Sequence, residues 1–530
     1  MEKDIFFDRK DFQEILEKRV KGLMEGYRRN IAFIGDELVG KTSIIFNFLN
    51  RFRDNRIISV YLEIRPESFA SFARRFIGVL LYNFLINSGV ELKEDLDYLI
   101  ARSEGHIPKT CERIKEILLG LKRRKRDNVF TELLSLTDTL YLETGKFSLV
   151  IFDEFHNLEN LQIKSLFREW SKVLVVQKNT MYLIASSMKF KAKAILSKNL
   201  SLLFGNFETI SVEPFDIRTS EEYLRCVLKG ATFSEGLKNF MINFTGGYPF
   251  YLKVVSEALS NPNQKSLADI LEGLLFEPSG ILNQRFSNSM KRFMDTPCSQ
   301  DYISILYLIA SGHNRLKDIA HIMRRTKKDL SKRINYLLEV DVLTRSGDFL
   351  KVSDRVFGYW LKFVYQEKLQ SLTFDAINQK NQFINNIENM IQEFTRDAQK
   401  PVNERTMDLL RLFDDDMIQM HDKKMRLDHF REIKPLEFKR SGIRDGLLGR
   451  SDESLWIMVF KYDLLTEDDV ADFAKECRKY RRKLQRKIVI ALHDVDDNAR
   501  LRAFEEKILT WDINNLNQVL DLFSKPRVIV

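Results

Sequence analysis

The chain is poor in cysteine and histidine. Its four cysteines, Cys111, Cys226, Cys298 and Cys477, stand far apart with no C-x-x-C among them. That spacing excludes a zinc ribbon and a disulfide framework, and it fits a reducing compartment. The seven histidines form no H-E-x-x-H pattern, which removes the zinc-protease class. The longest apolar run, Phe76 to Ile86, contains Asn83 and is too short to span a bilayer. Met1-Glu2-Lys3-Asp4 lacks a signal peptide's basic and apolar sections. A soluble, cytoplasmic protein with no membrane partner is therefore the expectation. A strong charge imbalance is missing too. A net charge of +9 over 530 residues permits nucleic-acid contact without demanding it.

What is present begins with composition. With 44% hydrophobic and 30% charged residues, the chain reads as globular, with length for three or four domains. Gly35-Asp36-Glu37-Leu38-Val39-Gly40-Lys41-Thr42 then supplies G-x-x-x-x-G-K-[ST], with apolar Ile31 to Ile34 before it and a helical pattern from Ser43 after it. Strand, glycine loop and helix in this order form a concave nest of backbone N–H groups for phosphate oxygens, and the helix N-terminus adds positive potential. Lys41 is placed to reach the β- and γ-phosphates, and the Thr42 hydroxyl to ligate Mg²⁺. Asp36 and Glu37 stand out, because acids beside a phosphate cradle weaken its field unless they point away.

The second anchor is Ser148-Leu149-Val150-Ile151-Phe152-Asp153-Glu154, an apolar strand ending in two acids. At the C-terminal end of a parallel strand, Asp153 would join Thr42 in holding hydrated Mg²⁺. Glu154 would polarise the attacking water as general base. His156 reads as a surface histidine. Thr180 to Ala185 is a further strand ending at Ser186-Ser187, where Ser187 either reports the γ-phosphate or belongs to a polar turn. Ile57 to Ile64 and Phe207 to Val212 are the other strands, so alternating strands and helices predict a doubly wound parallel sheet. Asp8 is the candidate N-cap of a first helix.

From Ser220 the pattern is helical only, a small lid broken by Gly246-Gly247-Tyr248-Pro249. Three short helices (303–310, 316–323, 326–338) and a hairpin around Ser346-Gly347-Asp348 then describe a winged helix-turn-helix. Lys328, Lys332 and Arg333 lie on or near the exposed side of its last helix, where such a module meets phosphates; a packing module is the alternative. Of two further basic runs, Lys122 to Arg126 reads as solvated surface first and a nucleic-acid or partner patch second. Arg478 to Lys483 partly suits a helix C-terminus, and the rest is a modest nucleic-acid hint. Residues 366–382 are a polar helical connector. The remainder is an α/β unit with strands 455–460, 488–492, 508–511 and 527–530 and a helix 467–484.

Together, Phe7-Asp8-Arg9, the phosphate loop, Asp153-Glu154-Phe155, Ser186-Ser187, Gly247-Tyr248-Pro249 and Phe357-Gly358-Tyr359-Trp360 resemble the archaeal-type ATPases. That family stands near the STAND and origin-recognition branches of the AAA+-like P-loop proteins. The resemblance implies an α/β fold with an ASCE-type sheet, ATP or ADP with Mg²⁺ as cofactors, and ATPase activity. It implies that the loop residues through Ser43 bind nucleotide and that Asp8, Arg9, Tyr248 and Pro249 lie near the base. DNA and self-association through the ATPase domain are the partners it admits. The absence of a clear N-K-x-D motif leans towards adenine. One departure is Asn206, where the family typically has an arginine; its loss puts fast turnover in doubt.

The C-terminal unit more faintly resembles a restriction-endonuclease-like domain, with Glu393-Phe394, Asp445 and Val459-Phe460-Lys461 at the matching positions. Val459 replaces a carboxylate there, so an inactive domain is expected. The expected domains are an ATPase core 1–215, a helical lid 216–300, a winged helix 301–366, a connector 367–384 and a nuclease-like domain 385–530. The expected function is an Mg²⁺-dependent ATP switch acting on or near DNA. The alternatives are a regulator with ATP as structural ligand and an ATP-gated nuclease.

Overall fold

The structure is a computed structural model describing residues 6–87, 93–122, 129–200, 207–228, 234–260, 266–294, 298–365, 375–420, 423–438, 442–443, 445–480 and 484–529. Asn206 and most of the run from Lys122 to Arg126 lie outside these residues.

The chain divides into two compact units, 1–219 with 248–250, and 220–247 with 251–530. The first is built on β1 (Asn30–Ile34), β2 (Ile57–Glu63), β3 (Phe147–Asp153), β4 (Thr180–Ser186) and β5 (Phe207–Ser211). They form a five-stranded sheet in the order β2-β3-β4-β1-β5, parallel throughout. The strand carrying the phosphate loop is thus separated from the strand carrying Asp153 by β4, the ASCE order. β1, β4 and nearly all of β3 are buried, as continuous apolar strands covered on both faces must be.

One face is covered by the helix Phe69–Ile86, whose Phe72 and Phe76 pack on Phe152 with ring centroids 6.0 and 6.5 Å away. Trp170 meets Phe152 edge-on at 5.6 Å. Each such side chain, fully removed from water, contributes roughly 1.5–3 kcal/mol. This helix includes the apolar run 76–86. It has 18 residues at mean hydropathy 1.4, long and apolar enough to cross a membrane on composition alone. Nine of them are buried in the core, and that burial explains the composition. The first helix starts at Lys10, capped by Arg9 in the left-handed region with no side-chain cap bond, so Asp8 is not its N-cap.

The second unit includes the helices 235–245, 249–259 and 281–294, of which the second has its first two residues, 249–250, in the first unit. The helices Ser299–Ala310, Leu316–Ile322 and Lys327–Glu339 follow, with the hairpin β6 (Leu343–Ser346) and β7 (Phe349–Val352). Thr326 caps the third of these helices through the Asp329 amide. After a long helix, Ala376–Ala398, comes the hairpin β8 (Asp416–Met420) and β9 (Lys423–Leu427).

A mixed sheet then follows, made of β10 (Glu432–Glu437), β11 (Asp445–Arg450), β12 (Leu455–Lys461), β13 (Leu484–Ala491) and β14 (Leu509–Trp511). β10 to β12 are antiparallel, and β12 to β14 are parallel. Expectation and structure part at two places. The helix from Glu467 ends at Cys477, ahead of a strand that already starts at Leu484. Residues 527–529 form no strand: the Val528 amide and carbonyl bond instead to the Asn517 side chain, at 2.7 and 2.8 Å.

Candidate active site

The loop after β1 needs glycine at two places for different reasons. A Cβ on Gly35 would stand 2.1 Å from the Val212 carbonyl oxygen, and Gly40 has φ +97° at the N-cap of the helix Lys41–Arg51. Lys41 is buried, and its Nζ donates to the Gly35 and Asp36 carbonyls at 2.9 and 2.6 Å. Burial lowers its pKa, against the pull of Glu154 and Asp153.

Thr42 donates its hydroxyl to Asp153 Oδ2 at 2.6 Å. Tyr61 on β2 donates to the same oxygen at 3.1 Å, and the Glu154 amide to Oδ1 at 3.0 Å. Asp153 is buried at 2% exposure, so these three donors replace its water. A hydroxyl and a carboxylate are the hard oxygen donors that Mg²⁺ selects. With the Thr42 proton committed to Asp153, the lone pairs of that hydroxyl stay available. The residues present therefore fit the ion.

Glu154 has φ +53°, in the left-handed region. Ser187 donates its amide and hydroxyl to Glu154 Oε2 at 3.0 and 2.8 Å. Burial raises the Glu154 pKa, partly offset by those Ser187 bonds and by Lys41. His156, expected at the surface, is buried. Its Nδ1 lies 2.8 Å from Ser186 Oγ and 3.3 Å from Glu154 Oε2. Burial, helped by Lys191 and Lys41, lowers its pKa to about 4. The cause of the mistaken reading is plain: one histidine after a strand end carries no sequence mark of its depth.

Asp36 is not turned outward unpartnered. Lys189 Nζ lies 2.8 Å from its Oδ1, and the Tyr248 hydroxyl donates to Oδ2 at 3.1 Å. Glu37 and Ser43 are exposed, whereas Val39 is buried and Leu38 has φ +67°. Arg9 donates to the Glu213 carbonyl and, at 3.4 Å, to the Val39 carbonyl, and its guanidinium stacks over Phe215 at 4.9 Å. Asp8 beside it is exposed, and Pro249 opens its helix. Sequence reasoning missed Tyr61 and Lys189, and no local pattern flags either.

Two other expected constellations fare differently. Lys328 and Lys332 are exposed, but Arg333 is half-buried and paired with Asp301 at 2.6 Å. It is therefore not one of the outward bases. The hairpin tip is also engaged: the Asp348 amide donates to the Met417 carbonyl at 2.9 Å, and Ser346 bonds to both backbone groups of Gln419 at 3.0 Å. Arg315 and Lys317 pair with Asp416 and Asp414 at 2.6 and 2.9 Å.

In the mixed sheet, Gly446 lies opposite Val459. Asp445 therefore shares the face of Phe460, and Lys461 takes the other face. Asp445 bonds to Tyr462, while Lys461 Nζ is held by Asp469 at 2.9 Å and Asp463 at 3.1 Å. Asp445 and Lys461 do not meet. Glu393 is exposed, and its neighbour Phe394 packs edge-on against Phe240 at 5.7 Å. No group of three or more His, Cys, Asp or Glu that could hold a metal occurs among the described residues.

No family model matches the chain, and no curated protein matches it. Among solved structures it is similar to the Walker-type ATPase PABY2304 of Pyrococcus abyssi, at 19% identity over 67% of this chain and 96% of that one, TM-score 0.48. It is similar to the ORC2 protein of Aeropyrum pernix in ADPNP–ADP complexes, at 13% identity over 70% and 98%, TM-score 0.40. It is also similar to AMPPCP-bound DnaA from Aquifex aeolicus, at 12% identity over 63% and 90%, TM-score 0.31.

Proposed function

We propose that the chain binds and slowly hydrolyses ATP as a conformational switch. The observation that carries this reading is the 2.6 Å bond between Thr42, at the end of the phosphate loop, and Asp153, at the end of β3. A loop whose amides face phosphates beside a hydroxyl–carboxylate pair is the arrangement phosphoryl transfer needs. Lys41 stabilises charge on the transferred phosphoryl group. Glu154 accepts a proton from the attacking water, and its raised pKa makes it a stronger base than an exposed glutamate. Thr42 and Asp153 would hold Mg²⁺, which neutralises phosphate charge when bound. Asp8, Arg9, Tyr248 and Pro249 would flank the base, with ATP or ADP as the nucleotide. The proposed domain limits remain 1–215, 216–300, 301–366, 367–384 and 385–530, in a cytoplasmic protein able to self-associate through its ATPase domain.

Lys41→Ala should abolish ATP binding in a titration of the full chain, and Glu154→Gln should retain bound ATP. Unchanged binding and hydrolysis in both would overturn the assignment. A second reading, ATP as a purely structural ligand, draws support from the two bonds Ser187 makes to Glu154. Single-turnover phosphate release separates the two readings.

DNA contact would fall to the outer face of the helix Lys327–Glu339, through Lys327, Lys328 and Lys332, all exposed. The hairpin tip, bonded to β8, would not take part. The opposite-face placement of Asp445 and Lys461 supports a C-terminal domain without nuclease activity.

A further inference from the structure

A phosphate loop that carries Asp36 ought to repel its ligand. Like charges brought close in a partly buried site repel one another, and a triphosphate carries several of them. The structure contains a remedy. The Asp36 carboxylate is held from two sides, by Lys189 Nζ at 2.8 and 2.9 Å and by the Tyr248 hydroxyl at 3.1 Å. The ion pair is only 25% and 18% exposed on its two side chains, so solvent screens it less than a surface pair. Lys189 starts a helix just beyond β4, the strand that also sets Ser186 and Ser187. Its place beside the loop is therefore fixed by the sheet.

We propose that Lys189 is a positioning residue of the phosphate loop: it cancels the Asp36 charge and holds that side chain off the phosphate cradle. A nucleoside di- or triphosphate can then bind despite the acid. Tyr248 fixes the same carboxylate from the Gly247-Tyr248-Pro249 segment, so Asp36 ties that segment to the loop. The effect must grow with ligand charge, since what is removed is a like-charge repulsion. Lys189 acts through Asp36 and not on the phosphates. This inference rests on the nucleotide reading above.

The test is titration of the full chain with ATP and ADP in low salt with Mg²⁺. Lys189→Met, which keeps the aliphatic stem, should weaken ATP binding about tenfold or more and ADP binding less. Lys189→Arg should stay close to the parent. Asp36→Asn combined with Lys189→Met should recover most of the lost affinity, because no acid is left to neutralise.

Parent-like ATP binding by Lys189→Met overturns the proposal. So does a double variant as weak as Lys189→Met, which would place Lys189 on the phosphates themselves. An unsubstituted chain that fails to bind ATP, and that Lys41→Ala leaves unchanged, defeats the nucleotide reading and this inference with it.

Discussion

Ser187 gives both its amide and its hydroxyl to one oxygen of Glu154, at 3.0 and 2.8 Å. A strand end expected to sense phosphate thus grips the proposed general base. Glu154→Gln should slow ATP hydrolysis by about 10²-fold or more while ATP binding persists. Ser187→Ala should slow it less, by about tenfold, with binding unchanged. The acid limb of the rate profile should lie above the ordinary glutamate range, because burial raises the Glu154 pKa. The rate then falls as pH drops, since only the ionised base accepts a proton. Single-turnover assays across pH measure all three effects.

His156 makes stability depend on acid. Its pKa is lowered to about 4 by burial, with Lys191 and Lys41 adding to the effect, whereas the unfolded chain takes the proton near pH ~6.5. Between those values the unfolded state binds more protons, so stability falls as pH drops through that window. The loss is at most roughly 3 kcal/mol. Denaturant melts from pH 7 to 4 should show it, and His156→Gln should flatten the dependence.

The nine bases from Arg315 to Arg345 are not equivalent. Replacing Lys327, Lys328 and Lys332 together by alanine should weaken DNA binding and reduce its salt slope by about one for each phosphate no longer neutralised. Arg333→Ala should leave that slope unchanged, because Asp301 already holds Arg333 at 2.6 Å. Anisotropy titrations over a salt series distinguish the two variants.

Asp521 is the acid on which three cations converge: Lys351 at 2.6 Å, Arg355 at 2.7 Å and Arg527 at 2.8 Å. Burial pushes its pKa up, but Arg527, Lys351 and Arg355 overcome that and hold it well below the usual range. A depressed carboxylate stabilises the fold above its unfolded pKa near ~3.9, and that contribution fades as pH falls further. Asp521→Asn leaves the three cations facing one another and should cost about 3–5 kcal/mol. Chemical denaturation at pH 7 reads this directly.

The parallel sheet, the loop and the Asp153-Glu154 strand end were legible because their signals are local. Buried strands read as unbroken apolar runs, and a phosphate nest needs glycine at fixed spacing. The antiparallel strands β10 and β11 left no comparable mark: they are half-exposed, mixed in polarity, and take their register from β12.

What the sequence by itself determined is the order of elements and which residues end the strands of the first unit. Tertiary structure alone decided which charges meet. Asp36 with Lys189, Glu154 with Ser187, and Arg333 with Asp301 are pairings made by distant chain segments brought together in the fold. It also decided that Asp445 and Lys461 part: Asp445 stands opposite Phe460 and shares its face, and strand alternation turns the next residue, Lys461, to the other face. Residue type fixes what a side chain can do, and only packing fixes what stands opposite it.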